Sequence, residues 1–502
     1  MESEGQRDRA KSMWMIAILA SVYLNGELGH YLIGVVSRNM AQDLHFGAMA
    51  CFPLSQTTSF QFCAQANTSS ECVSLQPKLS GNESSHFCKW DYSGLGMDYQ
   101  ILAGPSFMAV FTVAGVLWGL AADKFNRVWL LFLTTVIFSS ALAATSLATS
   151  FWHLVIFRIL LGIGVSGCSP LAAGMICDSF HQQERGKAMS VYNCGMYVGY
   201  GLSYAVGIYV TAADIFGMGW RATFVICGIP GLVLALLLIL TVDNPESPEV
   251  EDPSRPNSRR GSYSASRDAS YSAYESLHSV SVNAKEFDDV SAPLLSSNHS
   301  GDHSPWRACL SPVIVLLVLA ACLRRSAGYT LRYNSALYFQ VYYPSYDVGW
   351  WLTGIYCIGG VAGSILGGIT SDRLVNRLGV SARAIVLAVG QLIATPFAIG
   401  MLYLDPPMAF IPQSIGYLFG AMWFGALFTI LVELVPPSIR SSAFGVAFFV
   451  MENVGGNFPV VVEYITSLID YKTALAIMYP GELLASSAIF FVCYILLQKR
   501  RR

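Results

Sequence analysis

Long apolar stretches, separated by short polar segments, occupy most of this sequence. Twelve of them have about 20 residues or more, which is the length that an α-helix needs to cross the apolar core of a bilayer. A long polar segment separates the sixth stretch from the seventh. The pattern predicts an all-α polytopic membrane protein with 12 transmembrane helices in two six-helix repeats. The stretches are centred near Val22, Val110, Leu133, Leu161, Val198, Leu234, Val318, Ile358, Ala388, Leu418, Phe449 and Phe490.

The composition agrees with a membrane protein. Of the 502 residues, 54% are hydrophobic and only 12% are charged, which is not the balance of an ordinary soluble domain. The formal net charge of −2 identifies no partner. The sequence has no basic stripe that would indicate nucleic-acid binding. The long apolar stretches make membrane lipids the expected surroundings.

Loop charges predict the orientation of the chain. Lys124, Arg127, Arg185, Lys187 and Arg383 all fall on one side of the predicted helices, and the positive-inside rule makes that side cytosolic. The predicted domains are a cytosolic N-terminus (1–12), an N-terminal six-helix half (13–242) with a non-cytosolic loop (43–97), a disordered cytosolic linker (243–304), a C-terminal six-helix half (305–498) and a basic cytosolic C-terminus (499–502).

The first loop has features typical of the non-cytosolic side of a membrane, and the linker has features typical of the cytosolic side. The loop holds four cysteines and two glycosylation sequons, which predicts two disulfides whose pairing the sequence leaves open. These residues are Cys51, Cys63, Cys72 and Cys88 with Asn67 and Asn82. The linker is rich in small polar residues and proline. Its segment Tyr274 to Leu277 fits a tyrosine-type sorting signal, which would bind a sorting adaptor; a plain solvated linker is the alternative.

Ionisable side chains inside apolar helices are costly and therefore indicate function. In the first helix Glu27, His30 and Tyr31 share one face, and Glu27 lies about 20 Å from the cytosolic end at the standard helical rise. Glu27 and His30 are candidates for proton coupling. A structural pair with an arginine is the alternative for Glu27, and a hydrogen-bonded packing histidine is the alternative for His30.

Other polar residues extend the predicted substrate and coupling cavity. Arg158 either binds an anionic head group or extends to the membrane interface. Glu452 is expected to contact substrate or a coupling ion, with packing as the alternative, and Arg324 is expected to be an anchor that points away from the cavity. The remaining candidates in the cavity are Asn193, Arg325, Tyr329, Arg332, Asn453 and Asn457.

A short motif occurs at the cytosolic end of the second and the eighth helix and predicts a gate. Asp123 and Asp372 can face the N-terminus of a helix in the opposite half, where unpaired backbone N–H groups attract negative charge. Asp178 is expected to pair with Arg127, and Glu433 with Arg373. Ordinary charge anchoring at the interface is the alternative. The full predicted gate comprises Gly119, Asp123, Arg127, Asp178, Arg185, Gly368, Asp372, Arg373, Glu433 and Arg440.

These motifs resemble those of a known family. Gly119 to Arg127 and Gly368 to Arg373 resemble the loop motif of the major facilitator superfamily, and Arg158 to Gly164 resembles its helix 4 motif. Further segments resemble the spinster branch of that superfamily, namely Ala103 to Phe107, Gly167 to Pro170, Glu184 to Ala188 and Arg325 to Tyr329. The resemblance implies alternating access and transport of a lysophospholipid or a sphingosine-phosphate-type lipid coupled to protons.

The resemblance also implies that helices 1 and 7 both line a central cavity. Because Glu27 and Arg325 lie at similar heights in these helices, we expect them to form an ion pair that makes or breaks during transport. The long first loop is more typical of organic-ion transporters, which keeps a carrier of organic anions or cations as an alternative. A receptor or sensor that keeps the fold without transport is a second alternative.

No motif indicates an enzyme. The sequence contains no phosphate-binding loop and no His-Glu-x-x-His, and Gly162 and Gly164 lie in an apolar helix that no strand precedes. We therefore expect no catalytic residues, no cofactor and no metal. The expected location is a multi-pass protein of the plasma membrane or of the endosomal or lysosomal membrane.

Overall fold

A computed structural model of the chain describes residues 2–53, 69–70, 88–122, 124–180, 182–242, 311–344, 346–435 and 440–501. Within these ranges almost all residues lie in long helices, so the predicted all-α class is confirmed. Residues 243–304 of the predicted linker lie outside the described residues, so the domain bounds assigned to that region stay predictions.

Six helices form the N-terminal half. Breaks inside them follow from residues such as Pro105, which cannot donate a backbone hydrogen bond. The helices are α1 (Glu2–Leu44), α2 (Met97–Ala103 and Pro105–Ala122), α3 (Arg127–Thr145), α4 (Phe151–Val165 and Cys168–Ser179), α5 (Gln182–Ala205, continued by the π-helical Val206–Val210) and α6 (Trp220–Thr241).

Six helices form the C-terminal half as well. Ser311 caps the first of them by accepting a hydrogen bond from Ile314 N, and proline follows at the first helical position. The helices are α7 (Pro312–Tyr342), α8 (Gly349–Gly354, Ile355–Gly359 and Gly360–Leu378), α9 (Ser381–Tyr403), α10 (Phe410–Gly420 and Trp423–Leu434), α11 (Arg440–Asn457, Phe458–Val460 and Val461–Leu468) and α12 (Tyr471–Ala476, Ile477–Gly481 and Glu482–Arg501).

The two halves repeat one packing pattern. Helix α1 packs on α5 and α6, and α7 packs on α11 and α12 in the same way. Helix α3 packs on α4 and α6, and α9 repeats this arrangement with α10 and α12. The repeat that the sequence motifs indicated is therefore a repeat of helix packing.

Eleven of the described helices are long and apolar enough to cross a membrane. The twelfth predicted span is α5, which is long enough but less apolar. It contains Tyr192, Tyr197, Tyr200 and Tyr204 together with several glycines, where the other spans carry aliphatic residues. All four tyrosines are buried, and the last three contact the C-terminal half, so α5 faces protein more than it faces lipid.

The two ends of the helix bundle differ. The terminal face carries the start of α1 and the end of α12, and it is the side predicted to be cytosolic. The hairpin face carries an antiparallel hairpin of β1 (Met49–Pro53) and β2 (Cys88–Tyr92), in which Met49 pairs with Tyr92 and Pro53 with Cys88. The hairpin is anchored on α1, where Arg38 stacks on the Phe52 ring at 4.1 Å.

The halves touch on the hairpin side of the membrane and separate towards the terminal face. Helix α1 contacts α7, α2 contacts α11, and α5 contacts α8. At the α5–α8 contact a Cβ on Gly201 would stand 2.2 Å from Cys357 Sγ, so only glycine fits. Near the terminal face, by contrast, a Cβ on Gly119, Gly368 or Gly445 would meet nothing within 4 Å. The conformation is open on the terminal face.

Candidate functional site

A cavity of about 480 Å³ lies between the halves and extends from mid-membrane towards the terminal face. Helices α1, α2, α4, α5, α7, α10 and α11 line it. Six of the eleven predicted cavity residues are among its lining residues: Glu27, His30, Asn193, Arg325, Tyr329 and Glu452. Tyr31, Arg158, Arg332, Asn453 and Asn457 lie behind or beside it.

Glu27 and His30 meet at the closed end of this cavity. One turn of α1 brings His30 Nδ1 to 3.3 Å from Glu27 Oε2, and both side chains are buried. His30 Nε2 lies 2.9 Å from the hydroxyl of Tyr333 on α7, and the imidazole stacks on Phe107 at 3.8 Å. The histidine therefore links a cavity carboxyl group to the opposite half of the protein.

The predicted pair of Glu27 with Arg325 is not formed in this conformation. Arg325 instead binds Glu452 on α11, with Nε 3.0 Å from Oε2 and Nη2 2.5 Å from Oε1. Tyr329 Oη donates to the same carboxylate at 3.0 Å. The reason is the small residue Gly455, since a Cβ there would stand 2.6 Å from Arg325 Cβ. Because α11 approaches α7 closely, Arg325 pairs with Glu452 instead of Glu27.

Arg332 lies at the end of the cavity on the hairpin side, behind the rings of Tyr200 and Tyr329. Its guanidinium stacks on both rings, at 5.2 and 4.8 Å, and on Tyr31 at 5.4 Å. Nε donates to the Tyr31 hydroxyl at 2.9 Å. Nη2 is buried and has no hydrogen-bond partner among the described residues. Aromatic faces attract a cation without neutralising it.

Two other arginines are buried rather than anchored at a membrane surface. Arg158 does not extend to the interface: it is 3% exposed, donates from Nε to Leu102 O at 3.0 Å and lies over the Phe107 ring. Arg324 does not line the cavity; it is buried inside the C-terminal half, where it donates to Gly420 O and stacks on Trp423 at 5.1 Å. Sequence position alone could not separate these environments.

The two asparagines of α11 take part in a contact between the halves. Asn453 Nδ2 donates to Thr112 Oγ1 on α2 at 2.6 Å, and Asn457 Nδ2 donates to Asn453 O at 2.7 Å. Their predicted place in the cavity is wrong for this conformation, since α2 covers this face of α11.

On the terminal face, the N-terminal half contains one of the predicted gate pairs. Arg127 and Asp178 form an ion pair, as expected. Gly119 lines the cavity, and Gly368 has open space around it. Asp123 lies outside the described residues, as do the side chains of Arg185 and Arg440, so their predicted gate contacts remain predictions.

The second gate pair differs from the expectation. Glu433 does not pair with Arg373 but with Arg383, whose Nε lies 3.0 Å from both carboxylate oxygens. Arg383 Nη1 also donates to Asp372 at 3.0 Å. Arg383 stands in the first turn of α9 and points into the bundle, which places it between the two acids. The observed pairs of both halves join residues of the same half.

The cysteine-bearing loop is described only at its two ends. Cys51 lies on β1 and Cys88 on β2. Cys63, Cys72 and the sequon residues Asn67 and Asn82 lie outside the described residues, as does the sorting motif of the linker.

Three buried residues were missed by sequence reasoning, and two of them contact His30 at the cavity. Phe107 carries the His30 stack, and Tyr333 carries its hydrogen bond to α7. Glu482 of α12 is buried and accepts a hydrogen bond from Ser326 at 3.0 Å. The spacing of Tyr329 and Tyr333, one turn apart, was an available indication for the second. Glu482 was visible as a carboxylate in an apolar run.

Comparison with known proteins now identifies the family. Residues 12–458 match the model of the Major Facilitator Superfamily, which is most of the chain. The chain belongs to the major facilitator superfamily. This membership confirms the predicted fold, the multi-pass membrane location and the prediction of a transporter rather than an enzyme.

Curated relatives of this superfamily member carry diverse names. The protein spinster of Drosophila melanogaster is 27% identical over 149 residues, 30% of this chain and 24% of that protein. The sphingosine-1-phosphate transporter of Danio rerio is 27% identical over 185 residues, 34% of this chain and 36% of that protein. A D-xylose transporter of Levilactobacillus brevis is 24% identical over 405 residues, 76% of this chain and 81% of that protein. The matches to the two spinster-type relatives thus span about a third of their length or less.

Solved structures agree on the fold. A bacterial homologue of the human lysosomal transporter spinster, inward-facing and unoccupied, has a TM-score of 0.64 at 18% identity and matches 98% of this chain and 97% of its own. The inward-open xylose transporter of E. coli has a TM-score of 0.60 at 17% identity and matches 96% of each chain. These likenesses establish the architecture and leave the substrate open.

Proposed function

We propose that the protein is a proton-coupled secondary transporter that moves a lysophospholipid or a sphingosine-phosphate-like amphiphile by alternating access. The observation that carries this proposal is the division of the cavity into a polar end and an apolar flank. A substrate with a charged head and a single acyl chain matches such a cavity. A sugar, by contrast, would require a cavity whose lining is polar along its whole length.

The polar end lies at mid-membrane. Glu27, His30, Arg325 and Glu452 converge there, together with the hydroxyl group of Tyr329. Charged groups at this depth stay only where they pair or where they serve a substrate or an ion. This end would hold the head group of the substrate.

The apolar flank runs between α2 and α11. Val116 and Leu120 on α2 and Val446 and Phe449 on α11 line the cavity, and all four are exposed. An acyl chain lying along these residues would remain in contact with apolar surface. Lateral entry of a lipid between these two helices is part of the proposal.

Glu27 with His30 is the proposed coupling site. Arg325 already has a carboxylate partner in Glu452, and Glu27 forms hydrogen bonds with His30 and Tyr23 instead. A carboxyl group that faces a cavity open to one side can take up a proton there and release it when the cavity opens to the other side. Alternation of access would then couple proton and substrate movement.

A carrier of hydrophilic organic anions is the second candidate. Its supporting observation is the large first loop with its hairpin, together with the arginines near the cavity. A sensor that does not transport is the third candidate function. A cavity that opens on one face favours transport over this candidate.

Features outside the membrane complete the proposal. We propose that Cys51, Cys63, Cys72 and Cys88 form two disulfides in the first loop, with the pairing still open. We further propose glycosylation at Asn67 and Asn82, adaptor binding through the linker, and a plasma, endosomal or lysosomal membrane as the location.

The test is flux of labelled oleoyl lysophospholipids and sphingosine phosphate in proteoliposomes, with and without a pH gradient. Wild-type protein should accumulate lipid when a gradient is imposed. Glu27→Gln should lose gradient-driven accumulation at least tenfold, because the neutral amide cannot exchange a proton. Glu482→Gln is the matched control, since this second buried carboxyl group does not line the cavity, and it should keep the accumulation.

Two results would overturn parts of the proposal. Wild-type protein that neither binds nor moves any lipid of the panel would exclude the lipid substrate and direct the search to organic anions. Lipid flux that ignores the gradient, or that survives unchanged in Glu27→Gln, would exclude Glu27 as the coupling carboxyl group.

A further inference from the structure

A hydrogen bond between His30 and Tyr333 joins the proposed coupling site to the opposite half. His30 Nδ1 lies 3.3 Å from Glu27 Oε2, and His30 Nε2 lies 2.9 Å from the Tyr333 hydroxyl oxygen. Glu27 and His30 belong to α1 of the N-terminal half, whereas Tyr333 belongs to α7 of the C-terminal half. The two nitrogens of one imidazole therefore connect the Glu27 carboxyl group to the C-terminal half.

Aromatic rings hold the imidazole in this orientation. It stacks on Phe107 with the ring centroids 3.8 Å apart, and the Tyr31 ring lies 4.3 Å away. Tyr333 is 1% exposed and is not among the residues that line the cavity. Bulk water therefore does not compete for the hydrogen bond between His30 and Tyr333.

The hydrogen bonds of the two imidazole nitrogens depend on each other, because a neutral imidazole has one N–H donor and one acceptor nitrogen. When Glu27 is ionised, Nδ1–H donates to the carboxylate and Nε2 accepts from the Tyr333 hydroxyl. When Glu27 is protonated, its O–H donates to Nδ1 and Nε2–H donates to the Tyr333 oxygen. The ionised arrangement has the stronger hydrogen bonds, because a charged member strengthens a chain of hydrogen bonds away from water.

We propose that Tyr333 is a positioning residue that links the protonation of Glu27 to the contact between the halves. This inference rests on the proposed function in taking Glu27 as the coupling carboxyl group. Ionised Glu27 strengthens the hydrogen bond between His30 and Tyr333 and so favours the conformation that is closed on the hairpin face. Protonation of Glu27 weakens this hydrogen bond and favours opening of that face.

The link also gives proton movement a direction. Linkage is reciprocal, so Glu27 takes up a proton more readily when the hairpin face is open and releases it more readily when that face is closed. In the conformation closed on the hairpin face, Glu27 lines a cavity that opens on the terminal face. Protons would therefore enter from the hairpin side and leave on the terminal side.

Other groups also act on Glu27 electrostatically. The guanidinium groups of Arg325 and Arg332 attract its ionised form, and the Glu452 carboxylate repels it. The remaining titratable groups that interact with Glu27 are Tyr23, Tyr31, Arg158, Cys168 and Tyr200. All of these groups are unchanged in Tyr333→Phe, which removes only a hydroxyl group, so this variant isolates the contribution of Tyr333.

The experiment measures opening of the hairpin face without any lipid substrate. Spin labels are introduced as non-canonical amino acids at Phe216 and Met408, two exposed positions in different halves. Distance distributions are recorded in nanodiscs at acidic and alkaline pH for wild type, Tyr333→Phe and Glu27→Gln. Tyr99→Phe is the matched control. It removes the hydrogen bond that the Tyr99 hydroxyl donates to the backbone oxygen of Tyr333 across the halves, and it leaves the Tyr333 hydroxyl in place.

In the wild-type protein, the ratio of open to closed conformations should rise about fivefold from alkaline to acidic pH. This factor corresponds to the usual difference between a hydrogen bond to a charged group and one between neutral groups. Tyr333→Phe and Glu27→Gln should each remove most of this pH dependence. Tyr99→Phe should favour opening equally at both pH values and keep the rise.

The other outcomes separate this role from the proposed function. A wild-type ratio that is independent of pH, or a pH dependence that persists in Tyr333→Phe, would overturn the role of Tyr333. Loss of the pH dependence in Tyr99→Phe as well would also overturn it, because any weakened contact would then have the same effect. A pH dependence lost only in Tyr333→Phe and Glu27→Gln would support the role of Tyr333 even if the wild-type protein moves no lipid, which would exclude the lipid substrate alone.

Discussion

Charge pairs hold each half of this transporter together, whereas hydrogen bonds join the halves to each other. Every ion pair among the described residues lies within one half. Arg325 with Glu452 and Arg383 with Glu433 are among the most buried of them. Removing one partner of a buried pair costs about 3 to 5 kcal/mol, so each half resists deformation.

The interface between the halves is made of individually weaker contacts. Tyr209 Oη on α5 donates to Asp347 before α8 at 2.8 Å, and Asn453 donates to Thr112 at 2.6 Å. A typical hydrogen bond contributes about 1 kcal/mol net, because water replaces it when the partners separate. Because no ion pair among the described residues crosses the interface, the halves can part on the hairpin face without breaking any of these pairs, as two rigid bodies that rock against each other require.

The largest expected effect comes from breaking a pair inside one half. Arg325→Gln leaves Glu452, which is fully buried, without its cation. We expect a loss of about 3 to 5 kcal/mol in stability. Thermal unfolding in detergent measures this loss as a fall in Tm of several degrees.

A double variant provides the control for this pair. Arg325→Gln combined with Glu452→Gln removes both charges and should recover most of the lost stability, because no uncompensated charge remains. A double variant as unstable as the single one would show that Arg325 stabilises the fold through packing rather than through Glu452.

The two terminal-face pairs should differ from each other. Arg383 and Glu433 are each 8% exposed in their side chains, whereas Arg127 and Asp178 are 18% and 28% exposed. Arg383→Gln should therefore cost about 2 to 4 kcal/mol, and Arg127→Gln about 1 kcal/mol or less. Comparison of the two Tm values checks this order, and equal shifts would contradict the role assigned to burial.

The smallest expected effect concerns the interface. Tyr209→Phe removes the hydrogen bond to Asp347 and should shift the equilibrium towards the state open on the hairpin face by about fivefold, for a loss of about 1 kcal/mol. The readout is maleimide modification of Cys357, which packs against Gly201 between α5 and α8, quantified by peptide mass spectrometry.

Tyr343→Phe is the matched control for this change. Tyr343 Oη donates to Asp405 at 2.8 Å, but both residues belong to the C-terminal half. Its loss should leave the modification of Cys357 unchanged. If both variants speed the reaction equally, the interface has no special role in the equilibrium.

Much of the fold followed from the sequence, because a helix in a bilayer must be apolar over its whole crossing length. The repeated motifs predicted two related halves, and the spacing of Glu27 and His30 predicted that they meet. The weakest of the predicted spans was α5, whose tyrosines reflect its burial between the halves.

Partners across helices did not follow from the sequence. Glu27 and Glu452 both lie near mid-membrane, and the rotation of α7 against α11 decides which of them Arg325 meets. The choice of Arg383 over Arg373 depends likewise on the direction in which α9 begins.

Distances between spin labels measure directly whether the two halves rock as rigid bodies. Labels are introduced as non-canonical amino acids, because the chain has 12 cysteines. One pair, Leu120 with Val446, spans the halves near the terminal face; a second, Phe216 with Met408, spans them on the hairpin face; and all four residues are exposed. If the halves rock, changes of pH or addition of oleoyl lysophosphatidate will shorten the first distance whenever they lengthen the second. The pair Phe216 with Leu147, within one half, should stay constant. Two distances between the halves that stay fixed, or a distance within one half that changes with them, would exclude rocking of rigid halves.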